Sequence, residues 1–244
     1  MGEGLQDVFI DVPKLGCGVK RGLGSVSESI PGSSGSVGIV QRLEVSGAAP
    51  SARGGHSATA CNNKIYIFGG HELKGSGRGF IYHDALHILD LSALQWVSPS
   101  RSIIKGTPPA ARYGHSACLY SSKILIFGGR GGPCLYYNDL HAYDTHTDTW
   151  LVGKQSNKNP LPRFLHSCTL YKDKLYLFGG ARGPTLLNDV FCLDINSLQW
   201  TQLNTKGSKP SPRAAHAAAI ADKYLLIYGG LIRAQVCYYQ IQNK

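Results

Sequence analysis

One phrase is written four times along this chain, and its fixed phase limits the available folds more than any other feature. Each copy begins with an arginine, places a histidine three residues later, and runs through an apolar stretch into paired glycines. The arginines are Arg53, Arg112, Arg163 and Arg213, standing 59, 51 and 50 residues apart. The glycine pairs are Gly69-Gly70, Gly128-Gly129, Gly179-Gly180 and Gly229-Gly230, each opening 16 residues after its arginine. Constant internal phase with a period near ~50 residues marks a repeat architecture.

Inside one repeat the pattern is that of four short strands. In the second copy they fall at 115–120, 124–127 and 140–144, with a fourth starting near Thr149-Trp150. The third copy places them at 166–171, 175–178 and 190–194, with Trp200 opening the last. Two-residue turns, Ser121-Ser122 and Lys172-Asp173, join the first two strands. Short strands at roughly 8–12-residue spacing, with no helical period, exclude α/β and helical-bundle folds. A lone four-stranded sheet cannot bury both faces, so neighbouring sheets must stack on it, and radial stacking gives a β-propeller. The expected class is all-β: four recognisable blades of four antiparallel strands.

Two regions follow from the patterning. Residues 1–38 are rich in Gly and Ser and read as a flexible arm, although a short strand around 8–12 is the alternative. Residues 39–244 read as the repeat domain. The stretch 40–47 has the same phase as 200–207, so 39–45 is expected to be the last strand of a repeat. It either pairs with the third strand of the fourth blade and closes a four-blade ring, or belongs to a partial propeller.

Further landmarks sharpen the repeat: Asn138-Asp139, Asp144 and Trp150 in one copy, and Asn188-Asp189, Asp194 and Trp200 in the next. The first copy has Asp90 and Trp96, with Asp84-Ala85 in place of Asn-Asp, and the fourth lacks both Asn-Asp and Trp. In this combination the chain resembles the kelch repeat. The resemblance implies one propeller blade per repeat and a role in protein interaction. It also brings two alternatives: a substrate-receptor or scaffold subunit, for instance of a ubiquitin ligase, and a metal-dependent kelch enzyme. No E-x-x-x-D-x-x-x-H occurs, and no Ser, His and Asp set stands outside the repeating positions. The expectation is therefore a non-enzyme without cofactor or metal.

Bulk properties point the same way. A formal charge of +10 favours acidic partners, but the Lys and Arg are scattered and no basic run marks a nucleic-acid site. Seven cysteines without a C-x-x-C pair suggest a reducing, cytoplasmic setting, with the nucleus as the alternative. The first residues lack the pattern of a signal peptide, and no apolar run reaches the ~18 residues of a membrane span.

Recurrence separates structure from site. The four arginines, the glycine pairs and Trp96, Trp150 and Trp200 recur in phase, so they are expected to hold the blades together. The glycines should supply positive φ, the tryptophans inter-blade packing, and the arginines bonds to backbone carbonyls of the neighbouring blade. Asp90, Asp144 and Asp194 should cap turns. The copies stop agreeing just beyond each Gly-Gly, in long, irregular loops between the second and third strands. Those loops carry Lys74, Arg78, Tyr82, Arg130, Tyr136, Tyr137 and Arg182. Arg beside Tyr on variable loops of a rigid scaffold is the composition of a binding surface, here for an acidic or extended protein segment.

Overall fold

A computed structural model describes residues 9–10, 40–41, 43–75, 79–99, 103–153, 158–222, 224–231 and 236–240. The flexible arm expected over 1–38 lies outside these, apart from Phe9–Ile10, and so does Arg78. The chain divides into two units, Met1–Ser46 and Gly47–Lys244. In the first, β1 (Phe9–Ile10) pairs antiparallel with β2 (Val40–Gln41).

Four blades make up the rest. The first contains β3 (Ser46–Gly47), β4 (Ser57–Cys61) and β5 (Lys64–Phe68), then a hairpin of β6 (His71–Leu73) and β7 (Phe80–Tyr82), then β8 (Leu86–Asp90) and β9 (Gln95–Val97). Its main sheet runs β3-β9-β8-β5-β4. The second has β10 (Ser116–Tyr120), β11 (Lys123–Arg130), β12 (Tyr136–Asp144) and β13 (Thr149–Val152), in that order. The third has β14 (Ser167–Tyr171), β15 (Lys174–Phe178), the hairpin of β16 (Ala181–Arg182) and β17 (Thr185–Leu186), then β18 (Val190–Asp194) and β19 (Gln199–Gln202). The fourth is three-stranded: β20 (Ala217–Ala221), β21 (Tyr224–Tyr228) and β22 (Val236–Gln240). The first strands of successive blades neighbour one another, β4 to β10 to β14 to β20, which is the radial stacking that the repeat implies. Among the described residues no helix is long and apolar enough to cross a membrane.

The stretches between Gly-Gly and the third strand are not irregular, as the sequence suggested. They are antiparallel hairpins: His71 pairs with Tyr82, Arg130 with Tyr136, and Arg182 with Thr185. Val40–Gln41 pairs with Phe9–Ile10, and among the described residues the pairing with the third strand of the fourth blade, one of the two alternatives, does not occur. The stretches 40–47 and 200–207 each end on a glycine in the left-handed region. Gly47, Gly106 and Gly207 all have φ near +80° (84°, 78° and 81°), and Gly106 follows Lys105, which runs parallel beside Thr149 on a blade's outer edge.

Packing between blades follows the repeat landmarks. Trp150 lies 5.4 Å from Phe68 of the preceding blade, and Trp200 4.9 Å from Phe127, ring centre to ring centre. His115, His166 and His216 each place Nε2 2.8–2.9 Å from a hydroxyl of the preceding blade, on Ser57, Ser116 and Ser167. The inner rim is tied by backbone bonds: Gly114 N–H to Gly55 O, Leu165 N–H to Gly114 O, and Ala215 N–H to Leu165 O, at 2.7–2.8 Å. Asp90, Asp144 and Asp194 accept backbone N–H groups of the turns that follow them.

The arginines act differently from expectation. Each guanidinium bonds within its own blade: Arg112 donates from Nη1 to Gly128 O (2.9 Å) and forks onto Asp139 (2.7 and 2.8 Å). Arg163 repeats this with Gly179 O (3.0 Å) and Asp189 (2.5 and 2.9 Å). Both arginines are completely buried. The neighbouring blade is reached by the main chain instead, since the Arg112 carbonyl accepts Gly70 N–H and the Arg163 carbonyl accepts Gly129 N–H, each at 2.8 Å. Glycine is required here: Gly69 has φ +69°, and a Cβ on it would stand 2.5 Å from Arg112 O.

Among the described residues, nothing covers the far face of the fourth blade. Phe68, Phe127 and Phe178 are 2%, 1% and 0% exposed beneath a following blade, whereas their counterpart Tyr228 is 58% exposed. Gly229 correspondingly has open space where a Cβ would stand.

Two outcomes follow. Asp189→Ala leaves the buried Arg163 without its carboxylate and should cost about 3–5 kcal/mol, read from urea unfolding. The second concerns pH. Burial, then the charge of Arg112, pushes His115 down to about 3, and burial with Arg213 pushes His216 down to about 4. Both are neutral when folded, while the unfolded chain takes up protons below about pH 6.5. Stability should therefore be full above that value and fall as pH drops toward about 4.5, seen as a lower urea midpoint.

Candidate functional site

Antiparallel alternation sends the hairpins beyond Gly-Gly and the arginine-bearing lead-in segments to the same side of the blades. Single bridges join them there: Gly54 with His71, Tyr113 with Arg130, and Phe164 with Ala181. Each bridge lies within one blade, and it leaves the side chains of Tyr113 and Phe164 packed against the preceding blade's hairpin. Tyr113 packs 4.3 Å from His71 and stacks 5.7 Å from Tyr82, and Phe164 lies 5.7 Å from both Tyr113 and Tyr136. A continuous aromatic row results, running across three blades.

The expected binding residues divide into two kinds. Arg130 mainly locks its own hairpin, donating to Gly132 O (2.7 Å) and Pro133 O (2.8 Å), with its guanidinium 5.4 Å from the Tyr136 and Phe164 ring centres. Tyr136 donates to Pro133 O at 3.2 Å. Tyr137 lies against the Arg112 guanidinium, 4.2 Å from it, and belongs to the buried clamp. Tyr82 is half-buried in the aromatic row. Lys74 and Arg182, in contrast, are exposed. Around them the hairpins expose large apolar side chains: Leu73, Phe80, Ile81 and Leu135.

Tyr113 and Phe164 were not among the expected site residues, because they lie inside the motif that reads as structure. One signal was present. The position after the motif arginine changes from Gly54 to Tyr113, Phe164 and Ala214 while the arginine before it and the histidine two residues beyond stay constant. His115, His166 and His216 are committed to inter-blade serines, and no group of three His, Cys, Asp or Glu that could hold a metal ion occurs among the described residues.

Stacked blades with variable hairpins on one face define a β-propeller fold. Residues 83–242 match the family model described as the KLHDC2/KLHL20/DRC7 Kelch-repeats domain, and 52–83 match the Kelch motif. The chain belongs to the kelch-repeat family. It is similar to Kelch domain-containing protein 3 of Homo sapiens, 32% identical over 196 residues that make up 76% of this chain and 50% of that protein. It is also similar to Acyl-CoA-binding domain-containing protein 6 of Oryza sativa subsp. japonica, 35% identical over 77% of this chain and 29% of that protein. The chain thus spans half or less of the length of these relatives. A solved structure titled "Structure of YjhT" superposes with a TM-score of 0.65 over 78% of this chain and 63% of that one, at 18% identity, and shows the same fold.

Because Arg130 holds the 131–135 turn, Arg130→Ala should speed amide hydrogen exchange at Gly131 and Leu135, whose N–H groups bond within that turn. Exchange in β14 and β15 should stay unchanged, as measured by mass spectrometry.

Proposed function

We propose that this chain is a non-enzymatic protein-interaction module that captures an acidic or extended segment of a partner on its hairpin face. One observation carries the reading: exposed apolar tips at Leu73, Phe80, Ile81 and Leu135 stand beside the free-standing cations Lys74 and Arg182, over a rigid aromatic row. Large apolar side chains are kept on hairpin tips at a cost in solubility, and they mark a surface that is covered in use. Rigid aromatic anchors beside cations give affinity and a preference for acidic partners. The kelch family and the chain charge of +10 support the same reading. A reducing, cytoplasmic setting belongs to the proposal, supported by the cysteines that are free among the described residues, Cys61, Cys118, Cys134, Cys168 and Cys192.

The test is affinity capture from cell extract with Leu135→Ser combined with Arg182→Glu, read by mass spectrometry against the unsubstituted chain. Both positions are exposed, so stability should change by less than about 0.5 kcal/mol. Proteins with acidic stretches should be retained by the parent and lost from the double variant. Undiminished capture would sink the assignment of this face.

A further inference from the structure

The Asp139 carboxylate of the second blade is held from two sides: Arg112 forks onto it at 2.7 and 2.8 Å, and His141 Nε2 stands 3.0 Å away. Burial works against this carboxylate, but Arg112 and His141 outweigh it and hold its pKa well below the ordinary range. The first blade keeps the arginine and the histidine and omits the acid. His87 sits opposite Ile67 as His141 sits opposite Ile126, and Leu86 opposite Phe68 as Leu140 opposite Phe127. This register places Ala85 where Asp139 stands, with Arg53 in the place of Arg112.

Arg53 is only partly satisfied by what surrounds it. Its Nε donates to Ser51 O (3.0 Å), Nη1 to Gly69 O (3.2 Å) and Nη2 to Ser51 Oγ (3.0 Å). In Arg112 the same Nη1 donates twice, to Gly128 O and to Asp139, so the fork of Arg53 retains capacity for one more acceptor. Glu72 is near enough to act on Arg53 through its charge, but its carboxylate faces His83 Nε2 at 3.7 Å. His87 Nδ1 is 2.8 Å from Ser98 Oγ. When that hydroxyl donates to Nδ1, Nε2 carries the ring proton and becomes the donor that His141 supplies in the second blade. Ala85 is exposed, so the gap opens to solvent on the hairpin face. A depression of about 430 Å³ lies at Arg53, lined also by Ala52, Gly54, His71, Leu73 and Glu72, the last facing His83.

We infer that an acidic side chain of the bound segment, Glu or Asp, takes the place in the first blade that Asp139 fills in the second, received by Arg53 and His87. This deepens, and rests on, the reading of the hairpin face as a peptide-binding surface. The carboxylate is preferred over a phosphate because the second blade displays the same Arg–His pair closed around a carboxylate. Ala85→Asp would supply the acid in cis and close the gap.

The probe is a short labelled peptide alternating Gly and Glu, with Gly-Gln and Gly-phosphoserine counterparts, followed by fluorescence anisotropy. The unsubstituted chain should bind the Glu peptide about tenfold more tightly than the Gln peptide. Ala85→Asp should abolish that preference and raise the melting temperature. Ser121→Asp, which changes the charge equally at an exposed turn on the opposite face, should leave the preference intact. A preference that survives Ala85→Asp would overturn the inference, as would its absence in the unsubstituted chain. Tighter binding of the phosphoserine peptide, lost in Ala85→Asp, would overturn the carboxylate assignment. Partner capture separates this failure from that of the face itself. If Ala85→Asp captures the partner as the parent does while the Leu135/Arg182 variant does not, the face stands and the acid subsite falls.

Discussion

The buried arginine at the head of the second, third and fourth repeats is the constraint on which the structure turns. A guanidinium removed from water must be paired and hydrogen-bonded, or the blade holding it does not fold. Arg112 and Arg163 meet that demand inside their own sheets, with a glycine carbonyl and an aspartate on each fork. Their own main-chain carbonyls remain available, and these accept the N–H of the second glycine of the preceding blade. One residue thus closes its blade with its side chain and joins it to the neighbour with its backbone. Histidine–serine pairs and tryptophan–phenylalanine contacts repeat the junction at two other levels.

That rigidity leaves the opposite ends of the second strands free to vary. Past each Gly-Gly the blades depart from one another, and the departures are ordered hairpins, not slack loops. Apolar side chains stand exposed there because nothing in the blade requires them buried, whereas Tyr113 and Phe164 brace the hairpins from beneath. The first blade goes further and relaxes the clamp itself. With Ala85 in the aspartate position, Arg53 falls back on Ser51 and is only half-buried, while Arg112 and Arg163 are fully enclosed.

The fourth blade shows how a repeat changes where no following blade is described upon it. Tyr228 stands in solvent at the position where three phenylalanines are buried, and Ala217 replaces the serines that receive a following histidine. The face is the leading side of a blade with nothing described upon it.

How much was legible depends on whether a residue's partner lies at a fixed separation along the chain. Strand order, the turn-capping aspartates, the positive-φ glycines and the packing tryptophans all recur at constant spacing, and the sequence by itself determined them. It also located the variable segments, because there the copies disagree. Contacts set by folding were decided only in three dimensions. The side chain of Arg112 turns to its own Asp139, and not to the next blade, because strand pairing brings that carboxylate within reach of its fork. Tyr113 belongs to the hairpin face because a backbone bridge holds it against Arg130. Val40–Gln41, which has the phase of a blade strand, pairs with Phe9–Ile10. Periodicity states which residues are equivalent, and only the packed sheets decide which equivalent residue has lost its partner, as Arg53 has.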